Sequence, residues 1–259
     1  MPGPRVAAVH HAAMDTSPRE PLEDLPPGDA VPELLFLLFH GVGGSPADLW
    51  PVMQRLRAEY PRAALVALPA PHPFDGVPGG GAGGQWFSIR GVDEANRPGR
   101  VAAAMPGFVQ AVRAQQARFG VDWRHTALVG FSQGAIMSLE AVQAEPHLAG
   151  RVLAFSGRYA TLPEHAPEDC TLHLMHGMQD AVVPARPTME AAQRLVQLGA
   201  DVTGDALPGI GHELHPKLLD KAVEHLRSFL PQRAWREALA EMPQDVRPTR
   251  AAPRDVDND

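Results

Sequence analysis

A serine flanked by two glycines lies where an apolar run gives way to small residues. The segment Gly130-Phe131-Ser132-Gln133-Gly134 fits the pattern G-x-S-x-G, and Ala127-Leu128-Val129 precedes it as a strand would. In this pattern a sharp turn between a strand and a helix exposes the serine hydroxyl, and only small side chains fit beside it. The pattern therefore predicts that Ser132 is a nucleophile. The alternative interpretation is a tight turn with an idle serine.

A serine hydroxyl is a poor nucleophile unless a base takes its proton, and the base needs a third group to orient it. In an open α/β sheet these groups follow the carboxyl ends of strands, in the chain order Ser, Asp or Glu, His. Asp180 fits the acid, because it lies in the loop that leaves the predicted strand Thr171–His176. Asp169 precedes that strand and is therefore at the wrong end of it.

The base is expected after the last strand. His212 follows the predicted strand Asp201–Leu207 and a flexible Gly209-Ile210-Gly211 turn, which could lift an imidazole over the sheet. His215 is the rival, but its position three residues later places it at the start of the next helix. These positions predict a triad of Ser132, Asp180 and His212.

Backbone N–H groups must stabilise the oxyanion that forms when the serine attacks. One is expected from Gln133, the residue after the nucleophile. The other is expected from the loop after an early strand, and Val42 in the His40-Gly41-Val42 loop is the candidate. His40 and His176 each precede a glycine at a strand end, and we predict that both hold loops rather than take part in catalysis.

Apolar runs alternate with amphipathic segments along the chain, which predicts an α/β protein with a doubly wound, mostly parallel sheet and helices on both faces. The segment 156–170 between two strands is too short for a helical lid, so we expect no large lid domain and an open cleft. The predicted strands are 34–39, 63–68, 125–131, 151–155, 171–176 and 201–207. One predicted helix begins at Pro46, and the others cover 100–119, 133–144, 186–198, 216–230 and 234–240.

The length of 259 residues favours one large domain. We assign residues 1–33 to an N-terminal extension in which Val6–Val9 is a candidate edge strand. Residues 34–242 form the α/β domain. Residues 243–259 contain prolines but no apolar stripe, so they are predicted to be a disordered tail.

Composition excludes several classes of function. The formal net charge is −7 and no basic cluster stands out, so nucleic acid is not an expected partner. The longest apolar run, Leu34–Phe39, is too short to span a bilayer. Cys170 is the single cysteine and cannot form an internal disulfide. Together with the lack of a signal-peptide pattern, these features predict a cytoplasmic protein.

A glycine-rich run, Gly79-Gly80-Gly81-Ala82-Gly83-Gly84, follows a proline-rich stretch. It lacks the Lys-Ser/Thr of a phosphate-binding loop and does not open a helix directly after a strand. We therefore predict a mobile connection at this point.

The motifs quoted above resemble the phospholipase/carboxylesterase family of α/β hydrolases, which includes the acyl-protein thioesterases. The similarity extends to the bacterial YpfH-type esterases through Gln85-Trp86-Phe87-Ser88, Asn96-Arg97 and Gly157-Arg158-Tyr159-Ala160. The resemblance implies the α/β-hydrolase fold and the triad and oxyanion groups already named. It also implies that Trp86 lies near the acyl pocket, while a buried anchor for a long loop remains the alternative. One departure is Gly44, where the loop after His40 often carries an aspartate.

The hypothesis from the sequence is a serine hydrolase that cleaves carboxylic esters, or thioesters, of small or extended acyl groups. It needs no metal and no organic cofactor, and its partner is a small-molecule acyl ester. Two alternatives stay open: a catalytically silent binding protein with this fold, and an acyl transferase or peptidase with the same triad. The sequence leaves the oligomeric state open between monomer and homodimer.

Overall fold

A seven-stranded sheet forms the centre of the computed structural model, which describes residues 20–28, 31–78, 81 and 83–241. A separate two-stranded ribbon lies outside that sheet. The strands of the sheet are β1 (Leu22–Asp24), β2 (Leu35–Phe39), β3 (Ala64–Leu68), β6 (Thr126–Phe131), β7 (Arg151–Phe155), β8 (Thr171–Gly177) and β9 (Asp201–Leu207), and those of the ribbon are β4 (His72–Pro73) and β5 (Gly84–Gln85).

The strand order is β1-β3-β2-β6-β7-β8-β9, and every neighbouring pair is parallel except β1 with β3. The chain passes from β2 outward to β3 and then returns to the other side of β2 to form β6. The direction of winding therefore reverses at the β2–β6 pair. Ligand sites in such sheets form at the carboxyl ends of the strands next to this reversal.

Helices cover both faces of the sheet, as predicted. α2, α3 and α4 pack on one face, and α1 and α5 pack on the other. α6 follows α5. The helices are α1 (Trp50–Glu59), α2 (Arg97–Phe119), α3 (Gln133–Ala144), α4 (Ala185–Gln197), α5 (Pro216–Ser228) and α6 (Gln232–Glu241), and a 3-10 turn at Pro46–Leu49 leads into α1.

The side chains of β2 point into apolar layers on both faces of the sheet, so its sequence has no polar position. Leu35, Leu37 and Phe39 pack into the layer under α2, α3 and α4, whereas Phe36 and Leu38 pack into the layer under α1 and α5. All five side chains are buried. Each such side chain contributes about 1.5–3 kcal/mol when it leaves water, so the continuous apolar run is what a strand with helices on both faces requires.

The structure confirms the predicted α/β class and the mostly parallel sheet, and differs from the sequence interpretation at a few places. β1 lies within the N-terminal extension, whereas the candidate strand Val6–Val9 and the predicted tail 243–259 lie outside the described residues. α2 begins at Arg97 rather than residue 100, because Pro98 is tolerated in a first helical turn. Residues 156–170, all described, contain no helix or strand, which agrees with the absence of a lid there.

The prediction of a mobile connection is wrong for the end of the glycine-rich run. Gly84 belongs to β5 and pairs through its backbone with Gly43 and Gly44. Gly83 has φ +83°, and a Cβ atom there would lie 2.2 Å from the carbonyl oxygen of Gly43. Only glycine permits this approach, so these residues are needed for close packing rather than for mobility.

Candidate active site

Ser132 occupies the turn between β6 and α3 in a strained backbone conformation. Its φ is +52° and its ψ is −114°, and its N–H donates to the carbonyl of Phe155 at the end of β7. A Cβ on Gly134 would lie 2.1 Å from the carbonyl oxygen of Phe39, and one on Gly130 would lie 2.4 Å from the Cα of Ala135. Both glycines of the motif are therefore fixed by sterics, and the strain is held by the surrounding sheet.

The three side chains predicted from the sequence meet above the carboxyl ends of the strands. Nε2 of His212 lies 2.9 Å from Oγ of Ser132, and Nδ1 of His212 lies 2.7 Å from Oδ2 of Asp180. With Nδ1–H donating to Asp180, Nε2 is left as the acceptor for the serine hydroxyl. His215, the rival base, instead accepts the N–H of Lys217 at the start of α5.

Asp180 is held as an ionised acceptor. Its side chain is fully buried, and Oδ1 accepts the backbone N–H groups of Val182 at 2.9 Å and Val183 at 2.8 Å. Burial raises the pKa of this carboxyl, but the hydrogen bonds from His212, Val183 and Val182 outweigh burial, so the net pKa lies below the ordinary value. A carboxylate in this state can orient the His212 ring and would stabilise an imidazolium at that position.

His176 and His40 both contact the loops that frame the site. Nε2 of His176 donates to the carbonyl of Val183 at 2.7 Å, and burial lowers the pKa of this imidazole. In His40, Nδ1 donates to the carbonyl of Gly41 at 2.7 Å and Nε2 accepts the N–H of Ala70 at 3.0 Å. Burial likewise lowers the pKa of His40. Both rings thus serve as neutral groups that form hydrogen bonds with loop backbone.

The two backbone groups predicted for the oxyanion belong to segments that adjoin or contact Ser132. Gln133 is the first residue of α3, so its N–H has no partner within the helix. A Cβ on Gly41 would lie 3.2 Å from Cβ of Ser132, which shows that the loop carrying Val42 packs directly against the serine. Among the described residues, no backbone hydrogen bond engages the N–H of Val42.

Trp86 is buried, as its alternative interpretation as an anchor for a long loop requires, and its place near an acyl pocket stays a prediction. Its side chain is only 4% exposed, and the indole packs edge-on against Phe39 and Phe108. Its Nε1–H donates to the carbonyl of His40 at 2.9 Å. Trp86 is therefore a buried anchor, because its ring packs in the apolar core and its N–H has a hydrogen-bond acceptor.

A contact that the sequence analysis missed is made by the side chain of Gln133. Its Oε1 accepts the N–H of Trp86, and its Nε2 donates to the carbonyl of Phe87, each at 2.7 Å. The only signal in the sequence is a polar residue at a position that the helix must bury. That signal does not identify a partner 47 residues earlier in the chain.

A cleft of about 350 Å³ opens beside His212 and the loop that carries Val42. It is open to solvent and bordered by Phe131, Leu49 and Leu214, so an extended apolar group fits against it. Asp48 and Glu213 also border it, and no basic residue does apart from His40 and His212.

One cluster among the described residues has ligand atoms close enough to hold a cation. It consists of His147, Glu168 and Asp169, which precede β7 and β8 at the amino ends of the strands. Asp169 already forms an ion pair with Arg236. The cluster is therefore at the opposite edge of the sheet from Ser132, and it supplies nothing to the site described above.

Comparison with known proteins identifies the family. A sequence profile described as phospholipase/carboxylesterase matches residues 26–230. The chain belongs to this family. It is therefore a hydrolase of the carboxylesterase class, and the predicted resemblance is confirmed.

Individual relatives agree with this assignment. The chain is 42% identical over 212 residues to esterase YpfH of Escherichia coli (strain K12), covering 82% of this chain and 90% of that protein. It is 26% identical over 220 residues to acyl-protein thioesterase 1 of Eremothecium gossypii, covering 75% and 87% of the two chains.

A solved structure, the crystal structure of esterase PE8, superposes with a TM-score of 0.71 at 30% identity and covers 80% of this chain and 97% of its own. The α/β-hydrolase fold is thereby confirmed for this member of the phospholipase/carboxylesterase family. In the part of the chain that the structure describes, no helix has the length and apolar character needed to cross a membrane.

Proposed function

We propose that this carboxylesterase-family protein hydrolyses small acyl esters through a covalent acyl-enzyme on Ser132. The observation that carries the proposal is the continuous chain of contacts from Oγ of Ser132 through the His212 ring to Asp180, at 2.9 and 2.7 Å. Both distances lie within the range needed for proton transfer and for orienting the base.

In the first half of the reaction, Oγ of Ser132 forms a bond to the acyl carbon while its proton passes to Nε2 of His212. The N–H groups of Val42 and Gln133 donate hydrogen bonds that stabilise the negative charge developing on the carbonyl oxygen. Each such donor supplies about 3 to 4 kcal/mol of transition-state stabilisation. The bond to the alcohol then breaks, and the alcohol leaves with the proton that His212 had taken.

In the second half, water enters and gives a proton to His212 as its oxygen attacks the acyl carbon. The bond to Oγ breaks, the proton returns to Ser132, and the carboxylic acid is released. Asp180 stays ionised throughout, because its low pKa and its hydrogen bonds from Val182 and Val183 favour the carboxylate.

The cleft supports acyl esters with short or extended chains as substrates. Residues 156–170 carry no lid helix, and Phe131 and Leu214 offer apolar contacts beside His212. One relative is an acyl-protein thioesterase, so thioesters of the same acyl groups belong in the substrate screen. A peptide amide is a poorer fit to this proposal, since its carbonyl is less electrophilic than that of an ester and an amine is a worse leaving group than an alcohol.

The test is a hydrolysis series with wild-type protein and Ser132→Ala. We expect p-nitrophenyl esters and matching thioesters of graded acyl length to be cleaved by the wild type, and the Ser132→Ala variant to lose the activity. Hydrolysis that survives in Ser132→Ala would contradict the proposal. Cleavage of peptide amides in preference to esters would favour a peptidase, and a wild type inactive on every substrate would favour a silent binding protein.

A further inference from the structure

The two N–H groups assigned to the oxyanion come from segments that are far apart in the chain. Gln133 starts α3, whereas Val42 lies in the loop after β2. The hydrogen bonds of Ser132, His212 and Asp180 do not connect these segments. A third segment, Gly83–Phe87, contacts both of them.

The first contact is made by the side chain of Gln133, which is 3% exposed. Oε1 accepts the N–H of Trp86 and Nε2 donates to the carbonyl of Phe87, so both ends of the amide are used. Two hydrogen bonds at 2.7 Å to consecutive backbone positions fix both the position and the direction of that segment. A buried amide that lost one partner would carry a desolvation cost.

The second contact is made by the indole of Trp86. Its N–H donates to the carbonyl of His40, two residues before Val42, and its ring is held in the core by Phe39 and Phe108. A ring buried on all sides has few alternative rotamers. The His40 carbonyl is therefore tied to a rigid group.

The third contact lies on the other side of Val42. Gly43 donates its N–H to the carbonyl of Gly84, and Gly84 donates its N–H to the carbonyl of Gly44, each at 2.8 Å. Val42 is thus anchored before and after its own position by residues of one segment. Gly44 takes part in this pairing through its carbonyl.

We propose that Gln133 and Trp86 are positioning residues that set the distance between the two oxyanion donors. Gln133 carries one donor on its backbone, and its side chain holds the segment that holds the other. The inference rests on the proposed function, since the distance between the two N–H groups affects the rate only if an oxyanion forms between them. Misplacement of a catalytic group by about 1 Å can cost about 100-fold in rate.

The test compares two buried glutamines. Gln133→Met removes both hydrogen bonds of the side-chain amide but keeps the backbone N–H and a side chain of similar volume. Gln116→Met is the matched control, because Gln116 is also buried and its Nε2 donates to the carbonyl of Leu148 and to Oγ1 of Thr126. Thr126 begins β6, at the end of that strand away from Ser132.

The readout is the ratio of kcat for an ester to kcat for its thionoester, in which sulfur replaces the carbonyl oxygen. Sulfur is larger and accepts hydrogen bonds weakly, so a thionoester gains little from the two N–H groups. We expect Gln133→Met to lower kcat for the ester by about 10- to 100-fold with little change in KM. The ester to thionoester ratio should fall in parallel, whereas Gln116→Met should keep the wild-type ratio whatever its stability.

Trp86→Phe is the second variant, and it decides the matter if Gln133→Met does not fold. It removes the hydrogen bond to His40 while keeping an aromatic ring, so a smaller fall of the same ratio is expected. A wild-type ratio in both folded variants, with the wild type active on esters, would overturn this inference alone. A wild type that hydrolyses neither substrate would overturn the proposed function and this inference with it.

Discussion

Nε2 of His176 lies 3.2 Å from Oδ2 of Asp180, the same carboxylate oxygen that accepts the hydrogen bond of His212. The His176 proton is directed to the carbonyl of Val183, whose own N–H donates to Oδ1 of Asp180. His176 therefore holds the turn that presents Asp180, and the carboxylate reaches His212 in one orientation.

Asp180→Asn should lower kcat by about 10³- to 10⁴-fold, because an amide cannot hold His212 in the tautomer that accepts the serine proton. The measurement is ester hydrolysis, with circular dichroism to confirm the fold. Asp205→Asn is the matched control, since Asp205 contacts Nε2 of His225 at 2.7 Å without contacting Ser132 or His212. Equal losses in the two variants would contradict a special role for Asp180.

His176→Leu should lower kcat by about 10-fold with little effect on KM, because losing one hydrogen bond of about 1 kcal/mol loosens the turn that orients Asp180. His176→Gln keeps an N–H donor near the position of Nε2 and should recover part of the rate. Steady-state kinetics of both variants test this. If Leu and Gln behave alike, the hydrogen bond to Val183 does not position Asp180.

Gly83→Ala should reduce ester hydrolysis by at least about 10-fold, because its Cβ would lie 2.2 Å from the carbonyl oxygen of Gly43 and push the Val42 loop away from Ser132. Gly199→Ala controls for backbone strain: its φ is +78°, close to the +83° of Gly83, but a Cβ there meets no atom within 4 Å. Both variants should lose about 1 kcal/mol of folding stability from the left-handed conformation.

The kinetic comparison separates the two effects in these glycine variants. Unfolding of Gly199→Ala in urea measures the cost of backbone strain alone, whereas unfolding of Gly83→Ala adds the cost of the contact with Gly43. The kcat of Gly83→Ala measures the displacement of the loop. A Gly199→Ala variant as impaired in catalysis as Gly83→Ala would show that strain alone explains the loss.

His173 should make the protein less stable in acid. Its side chain is fully buried in β8, and burial, with repulsion from Arg151 and His225, lowers its pKa to about 2. Below pH 6.5 the His173 ring takes up a proton in the unfolded chain but not in the folded chain. The free energy of unfolding therefore falls as the pH drops from 6.5 towards 2. The slope is about 1.4 kcal/mol per pH unit.

Urea unfolding between pH 7 and pH 4 measures this slope. His173→Gln should flatten it, whereas His72→Gln, at an exposed position in β4, should leave it as in the wild type. An unchanged slope in His173→Gln would show that His173 does not drive the loss of stability in acid.

The triad could be predicted because each member follows a strand of a parallel sheet. Ser132, Asp180 and His212 leave β6, β8 and β9 at the same edge, so their order and spacing along the chain imply proximity. β2 is recognisable in the sequence because it is buried on both faces and apolar at every position. β8 is buried along its whole length, but Thr171, His173 and His176 interrupt its apolar residues.

The support for the oxyanion loop could not be predicted, because it depends on contacts between distant segments. β4 and β5 are two residues long, which is too short to show a periodic pattern. The glycine-rich run is predicted to be mobile because nothing in the sequence distinguishes a flexible glycine from one that admits a close backbone contact, as Gly83 does. The partners of Gln133 are known only once the segment Gly83–Phe87 lies beside α3.

Reaction with a fluorophosphonate, followed by peptide mapping, tests whether Ser132 is the activated nucleophile. We expect one adduct per chain, located on Ser132, absent from Ser132→Ala and formed much more slowly in His212→Ala. Labelling of wild-type protein at another residue, no labelling at all, or equal labelling of Ser132→Ala would contradict it.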